Sequence, residues 1–241
     1  MPFAETEMLT LPQPRGAFAP PMAVPVRWRH SARARRVSLR ICPSEGVVVV
    51  TLPPTAGRRA GIQLIRRHAD WAMERLAALA PRVEFEPGAE VLLGGSRHGI
   101  RHEPYLRGGA FLCGREIVVT GARAFLRRRV ADFLRVEARR RIAVLAAQHA
   151  RRLGVSPRVI RLKDTRSRWG SCAPDGTLAF SWRLVMAPDW VLDYVVAHEV
   201  AHLREMNHSA RFWTHVACLT PHRDAAVEWL RANGPALLRV G

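Results

Sequence analysis

The sequence predicts an α+β protein in which a small β-rich module precedes a helix-rich domain. Short β-branched runs between turn residues dominate the first half of the chain, whereas helical periodicity dominates the second half. Apolar residues make up 48% of the 241 residues and charged residues 24%, which is typical of globular domains. We expect a disordered leader at residues 1–22, because this segment is rich in proline and has no hydrophobic periodicity. The β-rich module with one helix is expected at residues 23–121, and the helix-rich domain at residues 122–241.

The β-rich module begins with three predicted strands. Val24–His30 and Arg35–Ile41 alternate polar and apolar residues, and Val47–Leu52 is β-branched and follows the turn residues Ser44-Glu45-Gly46. A helix is predicted next, because apolar residues recur at helical spacing across Arg58–Leu79. Short strand-like runs separated by glycine-rich turns complete the module, at Val91–Leu93, Phe111–Leu112 and Ile117–Val119.

The second domain begins with a long predicted helix over Arg123–Leu153, and Gly154 is a typical helix end. Two strands are predicted after it, at Val159–Leu162 and Thr177–Leu184. The residues Pro174-Asp175-Gly176 between them predict the turn of a β-hairpin. If the strand Thr177–Leu184 has an exposed edge, an extended peptide can pair with it beside the helix that follows.

The next predicted helix carries the residues that indicate chemistry. Pro188 followed by apolar residues at helical spacing predicts a helix that begins near this proline. His198 and His202 are four residues apart and therefore share one helix face, and Glu199 lies next to them. This is the H-E-x-x-H pattern, in which two imidazoles bind a metal ion and the glutamate acts as a general base.

A third ligand is required, because catalytic zinc normally has three protein ligands and one open position. His208 is the best candidate, since the six-residue spacing from His202 lets the helix end and the chain turn back toward the ion. Two other histidines stay open as alternative ligands, His215 and His222.

The turn before His208 differs from that of the metzincins, which share this spacing. Glu205 stands where metzincins have glycine, and no methionine follows Met206, so the Met-turn is missing. We expect Asn207 to make the turn, because asparagine tolerates a left-handed conformation. Two further helices are predicted to end the chain, Ser209–Leu219 with Ser209 as its cap and Asp224–Ala232.

The net charge of +18 indicates an attraction to polyanions, so a nucleic acid or nucleotide partner on a basic surface is one interpretation. The competing interpretation is that a coding bias toward arginine produces the charge, because Lys163 is the only lysine and the arginines are spread over many segments. No apolar run approaches the length of a membrane span, and the N-terminal residues do not resemble a secretory signal. The four scattered cysteines fit reduced thiols, so we expect a cytoplasmic protein without a membrane partner.

Several motifs together resemble the YgjP-like zinc metallopeptidases, bacterial relatives of SprT. The Arg35–Arg40 strand and the helix around Trp71 are similar to that family's leading module. The most specific motifs are Thr165-Arg166-Ser167-Arg168-Trp169-Gly170-Ser171-Cys172, Phe180-Ser181-Trp182-Arg183-Leu184, Ala187-Pro188, Asp193-Tyr194-Val195-Val196, His198-Glu199-x-x-His202-Leu203 and Asn207-His208-Ser209-x-x-Phe212-Trp213. One departure is Ser181, where the family is expected to have asparagine.

The resemblance implies a zincin-like metallopeptidase domain that holds one zinc ion. It implies that His198, His202 and His208 are the zinc ligands and that Glu199 is the catalytic acid and base. The segment Arg168–Cys172 would be a family signature that lines or braces the site. We expect Cys172 to be a small packing residue, because three histidines already complete the ligand set.

The expected reaction is hydrolysis of a peptide or protein substrate by a zinc-activated water, with Glu199 as general base. The oxyanion needs a donor, and Tyr194, Arg168 and Arg183 are candidates that spacing does not separate. Asp193 is a candidate for orienting a ligand histidine, and an aspartate on the helix surface is the equal alternative. Two alternatives use the same fold: a metal-dependent nucleoside triphosphate (UTP) pyrophosphohydrolase, a label carried by some proteins that resemble this family, and a nucleic-acid-associated protein with a protease-like fold.

Overall fold

The computed structural model describes residues 6–11, 22–165 and 168–241. The chain divides into two compact units, residues 1–81 and 82–241. Within the described residues, the fold is a mixed α+β arrangement of eleven strands in three sheets and six α-helices. The division after residue 81 precedes the strands that we predicted for residues 91–119, so it does not coincide with the predicted boundary after residue 121.

The first unit contains a four-stranded sheet with the order β1-β2-β4-β3. β2 and β4 are parallel, and the other two pairs are antiparallel. Buried valines of β2 and β4 pack against the helices of the unit at Ile65, Ala69 and Ala72. The strands are β1 (Thr6–Leu11), β2 (Met22–His30), β3 (Ser38–Cys42) and β4 (Val47–Leu52).

Strand β1 lies inside the segment that we predicted to be a disordered leader. It pairs with β2 along its whole length, from Thr6 opposite Arg27 to Leu11 opposite Met22. The prediction is therefore wrong for residues 6–11, where a short strand between proline-rich stretches gave too weak a local signal. Residues 1–5 and 12–21 of the predicted leader lie outside the described residues.

Two helices, α1 (Arg58–Arg67) and α2 (Ala69–Ala77), replace the single helix predicted over Arg58–Leu79. The break is at His68, whose φ of −112° and ψ of 28° are not helical. Neither glycine nor proline marks this position, so local sequence chemistry gave no signal for the break.

The second unit begins with a four-stranded sheet of order β5-β6-β8-β7. Buried residues of these strands, such as Val91, Ile100 and Ile117, belong to the same hydrophobic core as the helices of residues 126–237. Because the strands and helices share one core, they form one unit. The strands are β5 (Glu90–Leu93), β6 (Ser96–Glu103), β7 (Ala110–Cys113) and β8 (Glu116–Thr120).

Four helices complete the second unit. The helix Leu126–Leu153 follows a 3-10 turn at Arg123–Phe125 and ends, as predicted, at Gly154, which has a left-handed φ of 61°. Ser209 caps the start of the helix Ala210–Leu219, as predicted: its Oγ accepts a hydrogen bond from the Phe212 N–H at 3.3 Å. The helices are α3 (Leu126–Leu153), α4 (Asp189–Ala201), α5 (Ala210–Leu219) and α6 (Arg223–Leu237). Across the described chain, every helix falls short of the length and apolarity that crossing a bilayer requires.

A three-stranded sheet contains β9 (Val159–Lys163), β10 (Gly170–Cys172) and β11 (Thr177–Ser181) in the order β10-β11-β9. The predicted turn residues do make an antiparallel hairpin, but they join β10 to β11. The predicted hairpin between Val159–Leu162 and Thr177–Leu184 is wrong, because β9 and β11 are parallel. The hypothesis that the strand Thr177–Leu184 has an exposed edge is therefore wrong. β11 pairs on both sides and gives way to a 3-10 turn at Trp182–Met186, and within the described residues the edge belongs to β10.

Candidate metal centre

The start of helix α4 is held by the glycine turn between β5 and β6. The N–H groups of Gly94 and Gly95 donate to the carbonyls of Val185 and Met186 at 2.8 and 3.1 Å. A Cβ on residue 95 would lie 2.9 Å from Cγ of Pro188, the N-cap of α4. Glycine at this position therefore permits the close approach that fixes where α4 begins.

His198, His202 and His208 come together at the C-terminal end of α4. One ligand atom from each lies within 4.8 Å of the others, and the ring centroids are 4.9 to 5.1 Å apart. Among the described residues, these three histidines are the group of His, Cys, Asp or Glu side chains that lie close enough together to hold a metal ion. Neither His215 nor His222 belongs to this group.

The spacing of the imidazole nitrogens fits one ion of the size of zinc. Nε2 of His208 lies 3.2 Å from Nε2 of His198. Two nitrogens that each lie about 2.0–2.1 Å from a tetrahedral ion are separated by roughly 3.3 Å. The two histidines can therefore bind the same ion with little rearrangement.

Hydrogen bonding and burial favour the metal-binding form of two histidines in this cluster. Nδ1 of His202 donates to the backbone carbonyl of Glu205 at 3.1 Å, which leaves Nε2 with its lone pair. Burial, followed by the charges of His202 and His208, lowers the pKa of His198 to about 4, and burial also lowers the pKa of His202. Both imidazoles are therefore neutral at pH 7, which is the form that binds metal.

The turn that brings His208 back toward α4 is not made as we expected. Within the described chain, no residue other than glycine has a positive φ, so Asn207 is not left-handed. Its Oδ1 instead accepts a hydrogen bond from the Ser209 N–H at 3.0 Å. This side-chain turn leads directly into the cap of α5, so His208 is held between two local hydrogen-bonded motifs.

Two aromatic residues of α5 support the histidine rings. Phe212 is fully buried and stacks on His202, with ring centroids 4.4 Å apart and an interplanar angle of 30°. Trp213 stacks on His208 at 5.5 Å and 18°, and the Arg223 guanidinium lies 3.7 Å from the Trp213 ring centroid. In the sequence, Phe212 and Trp213 stand out only as members of the motif Asn207-His208-Ser209-x-x-Phe212-Trp213, which does not indicate that their rings stack on histidines.

The carboxyl group of Glu199 is buried against strand β10. A Cβ on residue 170 would lie 2.5 Å from both Cγ and Oε1 of Glu199, so only glycine fits there. Burial raises the pKa of Glu199 to about 7, and the charge of Arg168 opposes this shift. A carboxyl group with a pKa near neutrality can both accept and release a proton under ordinary conditions.

The Arg168–Cys172 segment therefore braces the site as well as forming a strand. Trp169 packs against α6, where a Cβ on residue 234 would lie 2.9 Å from Cζ2 of the indole. Burial, followed by the charges of Glu199 and Asp175, raises the pKa of Cys172 to about 11. Its thiol is thus protonated at neutral pH and is not part of the metal-ligand cluster. Arg166 and Ser167, which belong to the same motif, lie outside the described residues.

Arg183, one of three candidate oxyanion donors, makes structural contacts within the fold. Its guanidinium forms an ion pair with Asp164 and donates to the backbone carbonyl of Val240 at 3.1 Å. It also lies over the ring of Trp182, 4.4 Å from the centroid. These contacts hold a buried arginine in the fold, so we do not retain it as a group that contacts the substrate.

The other two candidate donors, Tyr194 and Arg168, lie near the site. The Tyr194 ring is buried and meets the His198 ring edge to face at a centroid distance of 5.9 Å. Arg168 is exposed and acts electrostatically on Glu199.

Asp193, a candidate for orienting a metal-binding histidine, instead pairs with a histidine outside the cluster. Its Oδ1 accepts a hydrogen bond from Nε2 of His149, a buried residue of α3, at 2.8 Å. Burial acts to raise the pKa of Asp193, but hydrogen bonds from His149 and Thr220 outweigh it, so the pKa lies below its usual value. The two residues are 44 positions apart in the sequence, so no local pattern predicts that they form a hydrogen bond.

A small cavity of about 130 Å³ adjoins the cluster at His202. It lies between the β10–β11 hairpin and the turn that follows α4, and both polar and apolar groups line it. The residues other than His202 that define it are Cys172, Ala173, Pro174, Leu203 and Met206, together with Gly176 and Arg204.

Comparison with known proteins gave one family match and one similar structure. The family model described as a YgjP-like metallopeptidase domain matches residues 35–233. The chain is similar to the crystal structure of the metallopeptidase zymogen of Pyrococcus abyssi abylysin, with 22% sequence identity and a TM-score of 0.34. That similarity covers 39% of this chain and 92% of the other. No curated protein matches the chain.

Proposed function

Because the chain belongs to the YgjP-like metallopeptidase family, we propose that it is a zinc-dependent peptidase. The observation that carries the proposal is the convergence of His198, His202 and His208 beside the buried carboxyl group of Glu199. Three imidazoles with an open fourth position are the donor set of catalytic zinc sites. The separation of 3.2 Å between two of the ligand nitrogens supports zinc as the ion.

In this proposal, Glu199 moves the proton. When bound, zinc would polarise the scissile carbonyl and acidify a water molecule. Glu199 would accept a proton from the attacking water and later give it to the leaving amine, which its pKa of about 7 supports. Tyr194 and Arg168 remain the candidates for hydrogen bonds to the developing oxyanion.

The edge of strand β10 is the proposed binding surface for the substrate backbone. Gly170 of this strand lies against Glu199, and β10 pairs on only one side within the described residues. An extended peptide that paired with the open side would bring its carbonyl next to the catalytic carboxyl group. The cavity beside His202 would then receive one substrate side chain.

Hydrolysis of unfolded casein by the purified protein, compared with its Glu199→Gln variant, tests the proposal. We expect wild-type protein to cleave casein and the variant to lose activity by about 10²–10⁴-fold, because a general base contributes on that order. The variant should still bind zinc. The matched control is Glu228→Gln, an exposed position on α6, which should leave the activity unchanged.

A parallel assay with UTP decides between the proposal and the nucleotide alternative. Cleavage of UTP that disappears in Glu199→Gln, with casein left intact by the wild type, would contradict the peptidase proposal. It would favour the pyrophosphohydrolase instead.

A further inference from the structure

A second concave site lies in the first unit, beside the edge strand β3. It has a volume of about 450 Å³, within the range of about 300–1,000 Å³ that is usual for ligand pockets. Four apolar side chains and two cationic or titratable ones form its walls: Val37, Leu39, Leu64 and Trp71, with Arg36 and His68. Trp71 is 38% exposed, so a large aromatic surface is available to a ligand.

The open side of β3 provides unpaired backbone groups next to this groove. Among the strands that the structure describes, β3 is at the edge of its sheet and pairs with β4 alone. Within the described residues, the backbone of residues 36–41 makes no hydrogen bonds other than those to β4. A strand in this situation can accept another extended chain through main-chain hydrogen bonds, while a neighbouring pocket receives a side chain.

The surroundings of the groove are strongly basic. The first 81 residues contain twelve arginines but only five acidic residues. Six exposed arginines on β3, before it, and at the end of α1 make no ion pair within the described part of the chain: Arg33, Arg35, Arg36, Arg40, Arg66 and Arg67. Two such edges would repel each other, so the charge disfavours pairing between copies of this chain and favours an acidic partner.

We propose that the groove and the open side of β3 form a docking site for an extended acidic segment of another protein. The segment adds to the sheet next to β3 and places one large apolar side chain against Trp71. Its carboxylates face Arg36 and Arg40. The proposed site shares no residue with those assigned to the peptidase reaction, so the proposal does not depend on that activity.

Binding of a fluorescein-labelled peptide of alternating glutamate and valine residues with a central phenylalanine tests this site. The full-length Glu199→Gln protein is used so that the peptide is not cleaved, and binding is followed by fluorescence anisotropy. We expect saturable binding that weakens by about tenfold or more in Arg36→Glu/Arg40→Glu. The control variant Arg139→Glu/Arg151→Glu makes the same charge change at exposed positions of α3 and should bind like the parent.

Two further comparisons separate strand pairing and apolar docking from general charge attraction. Methylation of alternate backbone nitrogens in the peptide should abolish binding, because it removes main-chain donors. Trp71→Ala should weaken binding, whereas Tyr105→Ala, at a position that is 96% exposed, should not. Thermal unfolding of Arg36→Glu/Arg40→Glu should match that of the parent, since both side chains are exposed.

Two results would overturn the proposal. One is equal binding of the peptide by the two charge-reversal variants. The other is displacement of the peptide by oligothymidylate that binds more tightly and with steep salt dependence, which would make the groove a nucleic-acid site.

Discussion

The Glu199 side chain lies so close to the backbone of Gly170 that a side chain at residue 170 would displace it. A Cβ at residue 170 would lie 2.5 Å from Cγ and Oε1 of the Glu199 side chain. We predict that Gly170→Ala retains zinc but loses hydrolytic activity by about 100-fold, because a displacement of about 1 Å in a catalytic group can have an effect of this size. Casein cleavage and metal analysis on the same preparation measure the two effects.

The control for this substitution is Gly99→Ala. Nothing lies within 4 Å of a Cβ at residue 99, which also has no positive φ, so activity should stay near that of wild type. Full activity of Gly170→Ala would contradict the proposed role of the Glu199 position.

The sequence predicted the residues of the site whose role follows from their spacing. The helical repeat places His198 and His202 together, and the need for a third ligand leads to His208. It could not predict the roles of Gly170 or the Glu205 carbonyl, because both depend on which backbone atoms approach the site after folding. The type of a residue does not indicate which backbone atoms will lie near it in the folded chain.

At the scale of elements, the hydrogen bond between His149 and Asp193 joins helices α3 and α4. Since the pKa of Asp193 is lowered in the folded protein, its ionised form favours folding. This contribution is present above the usual pKa of 3.8 and is lost as the pH falls through the lower folded value. Wild-type protein should therefore lose stability in this acidic range.

We predict that Asp193→Asn lowers the free energy of unfolding by roughly 1–3 kcal/mol at pH 7, as expected for a hydrogen bond to a charged group. Below the usual pKa of the carboxyl group, the difference from wild type should shrink. Urea unfolding at several pH values, with a chelator present, measures it. Asp224→Asn, whose side chain is 98% exposed, is the control, and a difference that does not vary with pH would contradict the prediction.

Helices were predictable from periodicity and end signals, as Gly154 and Ser209 illustrate, but several strand features were not. β10 has only three residues, Gly170–Cys172, and neither alternation nor β-branched residues mark it. Its presence makes β11 a central strand, which reverses the predicted role of that segment. Strand order is a property of the whole sheet, so no local pattern reveals it.

At the scale of the whole molecule, part of the positive charge has structural roles. Arg204 donates to the backbone carbonyls of Leu153 and Gly154 at the end of α3. Arg152 does the same for Cys218 and Leu219 at the end of α5. Arginines at helix C-termini satisfy free carbonyls and complement the helix dipole. The net charge of +18 is therefore not by itself an indication of nucleic-acid binding.

The division of the chain after residue 81 leads to a prediction about fragments. We expect residues 82–241 to fold cooperatively and to bind zinc, because β5–β8 and the helices share one hydrophobic core. A fragment of residues 122–241, which follows the boundary predicted from the sequence, should fail to fold because it lacks the strands β5–β8 that pack into the same core. Circular dichroism with thermal unfolding distinguishes them, and a stable fold of the shorter fragment alone would contradict the prediction.

Zinc content measured by mass spectrometry tests the central claim, that three histidines hold one ion. Wild-type protein should contain one zinc ion per chain, His208→Ala should lose most of it, and His215→Ala, a histidine of α5 outside the cluster, should keep it. Equal zinc content in His208→Ala and wild type would contradict the account.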